Sequence, residues 1–470
     1  MTSADPRPES VDDGADLGML SPGHVGSAVE SATGDRAFLQ AMLDAEAALT
    51  RAHHIVGRAP AEAVRAVRSA AVADRYDVRS LALRARAGGN PVIPLVADLG
   101  EHTGAEHAAW VHRGATSQDI LDSAMMLVAA HARRIVLADL DHVADVLGRI
   151  AAEHRTTAMA GRTLTQHAVP TTFGLKAAGW RHLVLDARDR LDAVVLPAQL
   201  GGAAGTLAAL DVGDSALSLA ACYARELGLA EPLLPWHVLR TPPAGLGAAL
   251  ALVGGALGKI AADVLVLGRT EIGELAEGSG GGSSAMPHKA NPVRATLVAA
   301  AARRLPQLAA TLFGAMVAED ERPAGAWHAE WEAVRTALRV AGGAARDTAE
   351  LVDHLRVDAA RMRAGLDLTG GLITSERLVD LYAPALGRAE ARRVVTDVAT
   401  TGARSGTALA DLLARDPRTA GLVEADVVRA CTAPAGYLGV APALVDRALA
   451  RTVGRPHHPH PSSDEARELP

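Results

Sequence analysis

TSQDILDSAMMLVAAHARRIVLADLDHVADVLGRI, Thr116 to Ile150, sets apolar residues three and four apart for more than thirty positions. That spacing lays one apolar stripe along an α-helix. The stretch opens on a Thr/Ser pair of the kind that caps helix amino ends. It places Asp119 and Asp122 in the first turn, where negative charge meets the positive end of the helix dipole. Similar patterns run from about Thr171 to Val195, Gly245 to Glu277, Pro292 to Ala318 and Ala326 to Leu355. Five helices of this length predict an all-α protein built on a long-helix bundle.

Working outward, shorter helical patterns fill residues 25–111 and 356–450, so the chain reads as three parts, with the bundle at 112–355 in the middle. Residues 1–24 are polar and acidic, and residues 451–470 are rich in proline and charge; both read as disordered tails. Some core segments, such as LGAALALVGGALGKIAADVLVLG (Leu246 to Gly268), are apolar almost all round. A helix of that kind must be covered on every side, within a large core or by other subunits, so oligomerisation is expected.

Composition narrows the function. The 470 residues are 49% hydrophobic, ample for a large core, but only 3% aromatic, which suits closely packed helices filled by small and aliphatic side chains. A formal charge of -7 without a clustered basic run argues against a nucleic-acid or anionic-membrane surface and favours small-molecule partners. Cys222 and Cys431 stand far apart without metal spacing, as buried thiols of a reducing cytoplasm would. No signal peptide opens the chain, and no apolar stretch reaches bilayer length without charge or turn residues. His457, His458 and His460 have metal-binding composition but sit in a tail that reads as solvated, so no metal or cofactor is expected.

One segment interrupts the helices: GSGGGSSAMPHKANPV, Gly278 to Val293. Four glycines suit an element that closes over a ligand, while Pro287 and Pro292 fix the backbone around a serine pair, a lysine and Asn291. Lys289 is one of only three lysines, with Lys176 and Lys259. Residues 278–291 therefore read as a catalytic lid.

GSSAMPHKANP resembles the signature loop of the fumarase/aspartase superfamily, usually GSSxMPxKxNP. HRGATSQDILDS (His112 to Ser123), GRTLTQHAVPTTFGLK (Gly161 to Lys176) and GGAAGT (Gly201 to Thr206) resemble three further superfamily elements, and the likeness spans about residues 25–450. It implies an all-α fold in which four subunits build a twenty-helix core and three subunits contribute to each active site. It also implies that the loop closes over substrate with Ser283 as general base.

Most members pair a histidine of GRTH with a glutamate of KxNPxxxE; those positions are Leu164 and Thr296. Losing both argues against an ordinary fumarase, aspartase or adenylosuccinate lyase. FLQAMLDAEAAL (Phe38 to Leu49), GNPVIPLV (Gly89 to Val96), EPLLPWHVLRTP (Glu231 to Pro242), EDERPAGAWHAEW (Glu319 to Trp331) and RMRAGLDLTGGL (Arg361 to Leu372) resemble the bacterial 3-carboxy-cis,cis-muconate cycloisomerases. Two departures are Ala290, where MPHKRNP is usual, and Asp320, where EHER is common.

The resemblance implies a cofactor-independent cycloisomerase that closes 3-carboxy-cis,cis-muconate to a carboxymuconolactone in protocatechuate breakdown. The alternative is a β-eliminating lyase that releases fumarate from a substituted succinate, such as nitrosuccinate or an adenylosuccinate-like compound. A helical structural protein descended from such enzymes is a third reading, opposed by the intact loop. In either enzyme Ser283 and His167 are the catalytic candidates, with His167 as proton donor, as carboxylate partner, or simply buried. Thr116 and Ser117 would hold a substrate carboxylate at a helix amino end or only cap the helix. Lys289 and Asn291, with Ser284 and Met286, would close from the lid. Asn90, which could instead cap a turn, together with His112, Gln166, Arg240, Arg322 and His328, completes the expected lining for a small polycarboxylate.

Overall fold

The computed structural model describes residues 18–210, 215–278, 281–282, 286, 289–405 and 407–452. Among them, seventeen α-helices and six short strands account for the regular structure. The helix read from Thr116 runs from Ser117 to Glu153. Its counterparts run over Phe173–Asp192, Thr241–Leu267, Val293–Gly314 and Ala326–Asp353.

Two features depart from the sequence expectations. The helix expected to reach Glu277 ends at Leu267. Beyond it the chain turns through Gly273 in a left-handed conformation, φ +62°, and Leu275–Glu277 pairs antiparallel with Leu355–Val357. The second departure is a β-hairpin in a chain read as all-helical: Ala158–Thr163 pairs with Gln166–Thr172. A Cβ on Gly161 would come within 2.5 Å of the Val169 carbonyl, so only glycine allows this close strand approach. Thr172 then starts the next helix, its hydroxyl accepting from the Leu175 N–H at 3.1 Å.

The chain divides into two compact units, each gathered from three stretches. The first comprises Met1–Val136, Val195–Gly247 and Arg304–Arg346; the second comprises Leu137–Val194, Ala248–Arg303 and Asp347–Pro470. Each of the helices starting at Ser117, Thr241, Val293 and Ala326 contributes one end to the first unit and the other to the second.

In the first unit, the Asp35–Ile55 helix buries Leu39, Leu43, Ala45 and Leu49. Residues 18–24, read as part of a disordered tail, form hydrogen-bonded turns with His24 buried. They lie so close to a helix that a Cβ on Gly343 would meet the Gly23 carbonyl at 1.9 Å. In the second unit the tail boundary also moves. Arg451 is 6% exposed and binds Asp186 and Asp189 at 2.7 and 2.8 Å, while its own carbonyl accepts from Arg181 at 2.9 Å.

The Thr241–Leu267 helix is long and apolar enough to cross a membrane, with half of its most apolar window buried in the chain. Its Asp263 accepts from Lys259 at 2.7 Å and from the Trp180 indole at 2.7 Å. Such partners place that face of the helix against protein.

Candidate active site

In the first unit the site is built around the start of the Ser117 helix. His112, Thr116 and Ser117 lie on this loop-helix junction, each half-buried. Asp119, expected merely to complement the helix dipole, is fully buried and bonds widely. Its carboxylate accepts from the Thr116, Gly201 and Gly202 N–H groups, each at 2.9 Å, and lies 2.7 Å from His237 Nε2. One side chain thereby ties the HRGATS loop to GGAAGT, whose place in the site the motif alone did not explain. The approach is tight: a Cβ on Gly202, φ +72°, would lie 3.2 Å from the Gly114 carbonyl. Arg322, mostly exposed, reaches the same loop, donating to the Ala203 carbonyl at 3.2 Å.

Arg240 is corrected from a substrate ligand to a buried brace. Its side chain has no exposed surface, and Asp122 and Glu330 beside it have none either. Nε donates to Glu330 at 3.0 Å, Nη1 to Asp122 at 2.7 Å and the Trp236 carbonyl at 3.2 Å, and Nη2 to Asp122 at 3.0 Å and Glu330 at 2.5 Å. All five guanidinium N–H donors are thus committed to protein. Burial would lower the pKa of Arg240, but the two carboxylates raise it above the ordinary value; burial holds the Glu330 carboxyl up despite the guanidinium. Trp327 completes the brace, donating from its indole to Asp122 at 3.0 Å.

Asn90 has its amide oxygen committed. Its Oδ1 accepts from the Val92 and Ile93 N–H groups at 3.1 and 3.4 Å, capping the Val92–Thr103 helix, so the turn-capping reading describes this residue. His328, exposed, packs its ring 4.8 Å from Trp331 and lies next to Gly89, whose added Cβ would sit 3.7 Å from its Nε2. Asp320, one of the two departures, has φ +53°, a left-handed conformation in which Asp and His are both well represented.

The second unit carries the other candidates. Gln166 and His167 follow the hairpin turn at Leu164 and Thr165, two non-glycine residues with φ +48° and +70°. Leu164, at the position of the usual lyase histidine, is 96% exposed. Gln166 is exposed, its amide 3.4 Å from the Thr165 hydroxyl. His167 is half-buried, and its Nδ1 is buried without a hydrogen-bond partner among the described residues. Burial and the nearby Arg162 hold its pKa below the ordinary value, although Glu274 opposes them. At neutral pH the ring is uncharged, which suits a hydrogen-bond partner better than a proton donor. Arg162 is itself fixed in a two-point pair with buried Glu274, at 2.6 and 3.0 Å.

Ser283 and Ser284 lie outside the described residues. The base of their loop is a short ladder in which Gly281 and Gly282 pair with Asn291 and Ala290. Met286 and Lys289 are exposed and Asn291 is half-buried. Glu277 anchors the segment by accepting from the Arg294 N–H at 3.1 Å, and Arg294 also donates to Glu350 at 2.7 Å. At the second lost lyase position, the Thr296 hydroxyl donates to the Pro292 carbonyl at 2.8 Å. Neither lost position therefore holds a titratable group.

Sequence reasoning missed Glu46, His237, Glu274 and Glu330, and assigned Asp119 and Asp122 too small a part. Glu46 and His237 lay inside quoted family stretches; an acidic or histidine residue in a stretch otherwise bound for the core was the available signal.

Comparison with known proteins gives a consistent outcome. Residues 26–306 match a family model described as lyase, and residues 371–448 one described as adenylosuccinate lyase C-terminus. A nitrosuccinate lyase from Streptomyces davaonensis is 52% identical over 448 residues, covering 92% of this chain and 94% of that protein. A 3-carboxy-cis,cis-muconate cycloisomerase from Pseudomonas aeruginosa is 42% identical over 437 residues, covering 91% and 95%. The crystal structure of the 3-carboxy-cis,cis-muconate lactonizing enzyme from Pseudomonas putida superposes with a TM-score of 0.84 at 39% identity, covering 90% of this chain and 96% of that one.

Proposed function

We propose, from the premise that this chain belongs to the lyase family of the fumarase/aspartase superfamily, that it is a β-eliminating lyase of a substituted succinate, with nitrosuccinate as its substrate. The observation that carries the choice is Ala290. It stands at the base of the signature loop, paired with Gly282, where the cycloisomerase pattern has arginine. A tricarboxylate needs one more cationic partner than a dicarboxylate, and this position supplies none. The higher identity to the nitrosuccinate lyase points the same way.

In this reading Ser283, acting as its alkoxide, takes a proton from the methylene carbon beside one carboxylate and becomes the neutral hydroxyl. The C–H electron pair becomes the second bond of the alkene, and the C–N bond breaks with its pair leaving on nitrite, so fumarate and nitrite form in equal amounts. Thr116 and Ser117 hold one carboxylate at the amino end of their helix, where hydroxyls and backbone N–H groups face an anion. Lys289 and Asn291 close on the other, and uncharged His167 with Gln166 accept or donate hydrogen bonds to the substrate. Charge builds on the carboxylate oxygens as the proton leaves, so donors fixed there lower the barrier. No cofactor takes part. The working form is a cytoplasmic tetramer whose active sites each draw on several subunits, a reading supported by the apolar side chains this chain leaves exposed, Leu164 and Leu252 among them.

The second reading, cyclisation of 3-carboxy-cis,cis-muconate to its lactone, is favoured by the likeness to the lactonizing enzyme structure. Purified protein mixed with nitrosuccinate and read for nitrite and fumarate, beside a sample with the muconate read for loss of diene absorbance, separates the two. Equal nitrite and fumarate with the muconate untouched is the expected result. Lactone formation without nitrite release overturns it.

A further inference from the structure

Three polar residues on the Asp35–Ile55 helix, Glu46, Thr50 and His53, stand four and three residues apart and so share one face. All three are buried, and each grips the loop that leads into the Ser117 helix. Thr50 donates to the Trp110 carbonyl at 3.1 Å, and His53 Nε2 lies 3.0 Å from the Arg113 carbonyl. Between these anchors, the Glu46 carboxylate binds His112 twice: Oε2 accepts its backbone N–H at 2.9 Å, and Oε1 lies 2.6 Å from its ring Nδ1. His112 adopts φ +55°, a left-handed conformation uncommon overall though more open to histidine than to most residues, and the clamp holds it there.

The consequence is directional. With Nδ1 bonded to a carboxylate that has no exposed surface, the ring presents Nε2, which has no hydrogen-bond partner among the described residues, while the side chain keeps 21% of its surface exposed. Burial alone would lower the His112 pKa, but the bond to Glu46, its charge and that of Asp119 raise it above the ordinary value. Of the charged groups around it, Glu46 and Asp119 favour the cation. Burial lowers the pKa of His53, which remains uncharged at neutral pH.

We propose that Glu46 is a positioning residue that holds His112 as a protonated, substrate-facing cation, with Nε2–H offered to an anionic oxygen of the dianionic substrate. The proposal rests on the lyase reading for its substrate class but not for its test, because succinate serves as a non-reacting dianion. Sign and range follow from linkage. With Glu46 in place the ring stays protonated to higher pH than burial alone would allow. Anion affinity is lost as pH rises through the raised value, approaching about tenfold per pH unit above it.

The experiment is calorimetric binding of succinate to the intact protein across pH 6 to 9, with the His112 ring titrated by NMR and assigned by comparison with His112→Gln. The expected result is affinity that falls with the His112 titration, with one proton taken up per succinate bound above that pKa. In Glu46→Gln, both the ring pKa and the affinity limb should move together to lower pH, with KM raised at pH 8 and kcat little changed for whichever substrate turns over. A merely structural Glu46 would move the ring pKa in a folded variant and leave the affinity limb where it was. If Glu46→Gln does not fold, the wild-type titration decides. A flat succinate affinity through the His112 titration, or a ring pKa at or below the ordinary value, overturns the proposal. Failure of nitrosuccinate to react leaves these binding readouts intact and bears only on the choice of reaction.

Discussion

Two regions of the molecule, one in each unit, treat their polar residues in opposite ways. Around the start of the Ser117 helix, Glu46, Asp119, Asp122, Arg240 and Glu330 are buried, and each has partners at hydrogen-bond distance. At the hairpin turn and the base of the signature loop, Gln166, Met286 and Lys289 are exposed, and His167 has a buried nitrogen without a partner among the described residues. Both regions carry superfamily motifs, so motif membership does not separate framework from chemistry. What separates them is whether a group's bonding capacity is already used: Arg240 has no donor left for a substrate, while His167 has a ring nitrogen to spare.

The largest way to break that contrast is Ser283→Ala, from the signature loop. Turnover should fall by about 10³-fold, near 4 kcal/mol of transition-state stabilisation, with the thermal midpoint unchanged. Turnover within tenfold of wild type would take Ser283 out of the mechanism.

Arg240→Met tests the opposite region. It leaves Asp122 and Glu330 buried without their cation and should cost about 3–5 kcal/mol of stability, read as a lower urea midpoint. If stability is unchanged and only KM rises, Arg240 meets substrate after all.

Lys289→Met should raise KM about tenfold, the order of one lost charge contact worth about 1.4 kcal/mol. Its urea midpoint should match wild type, because an exposed lysine carries little packing. An unchanged KM would place its ammonium away from the substrate.

The smallest effect is expected at the hairpin turn. Replacing Leu164 and Thr165 together by Asn-Gly, the pair suited to two left-handed residues, should stabilise the protein by about 1 kcal/mol. If Leu164 contacts another subunit, the gain in chain stability will be accompanied by weaker assembly, read by sedimentation; a loss of stability would show that the turn is not strained.

How far these features were legible depends on the range of the interaction behind each. The Ser117 and Ala326 helices were read within a few residues of their bounds, because apolar periodicity is local and repeated many times. The helix from Thr241 was carried ten residues past its carboxyl end, since Glu277 owes its strand to a partner at Leu355 far along the chain. The hairpin at 158–172 was missed altogether: a ladder depends on its opposite strand, and GRTLTQHAVP was read as a motif before its backbone was considered. His112, Thr116 and Ser117 were found as one cluster because they are neighbours in sequence. Glu46 and His237 were not, because they reach that cluster from residues 66 and 118 positions away.

By itself the sequence determined the helical class, the long-helix framework and the family, because periodicity and an eleven-residue loop signature are properties of short stretches. It also determined that the usual histidine and glutamate of the lyases are gone and that no charge stands at position 290. Only the tertiary structure decided that the Arg240 guanidinium and the Asn90 amide oxygen are committed to the fold, that Asp119 ties two glycine-bearing loops together, and that Glu46 bonds both the backbone and the ring of His112. The reason is physical: whether a polar group is free for a ligand depends on which distant groups already satisfy it, and that is settled when the chain is packed.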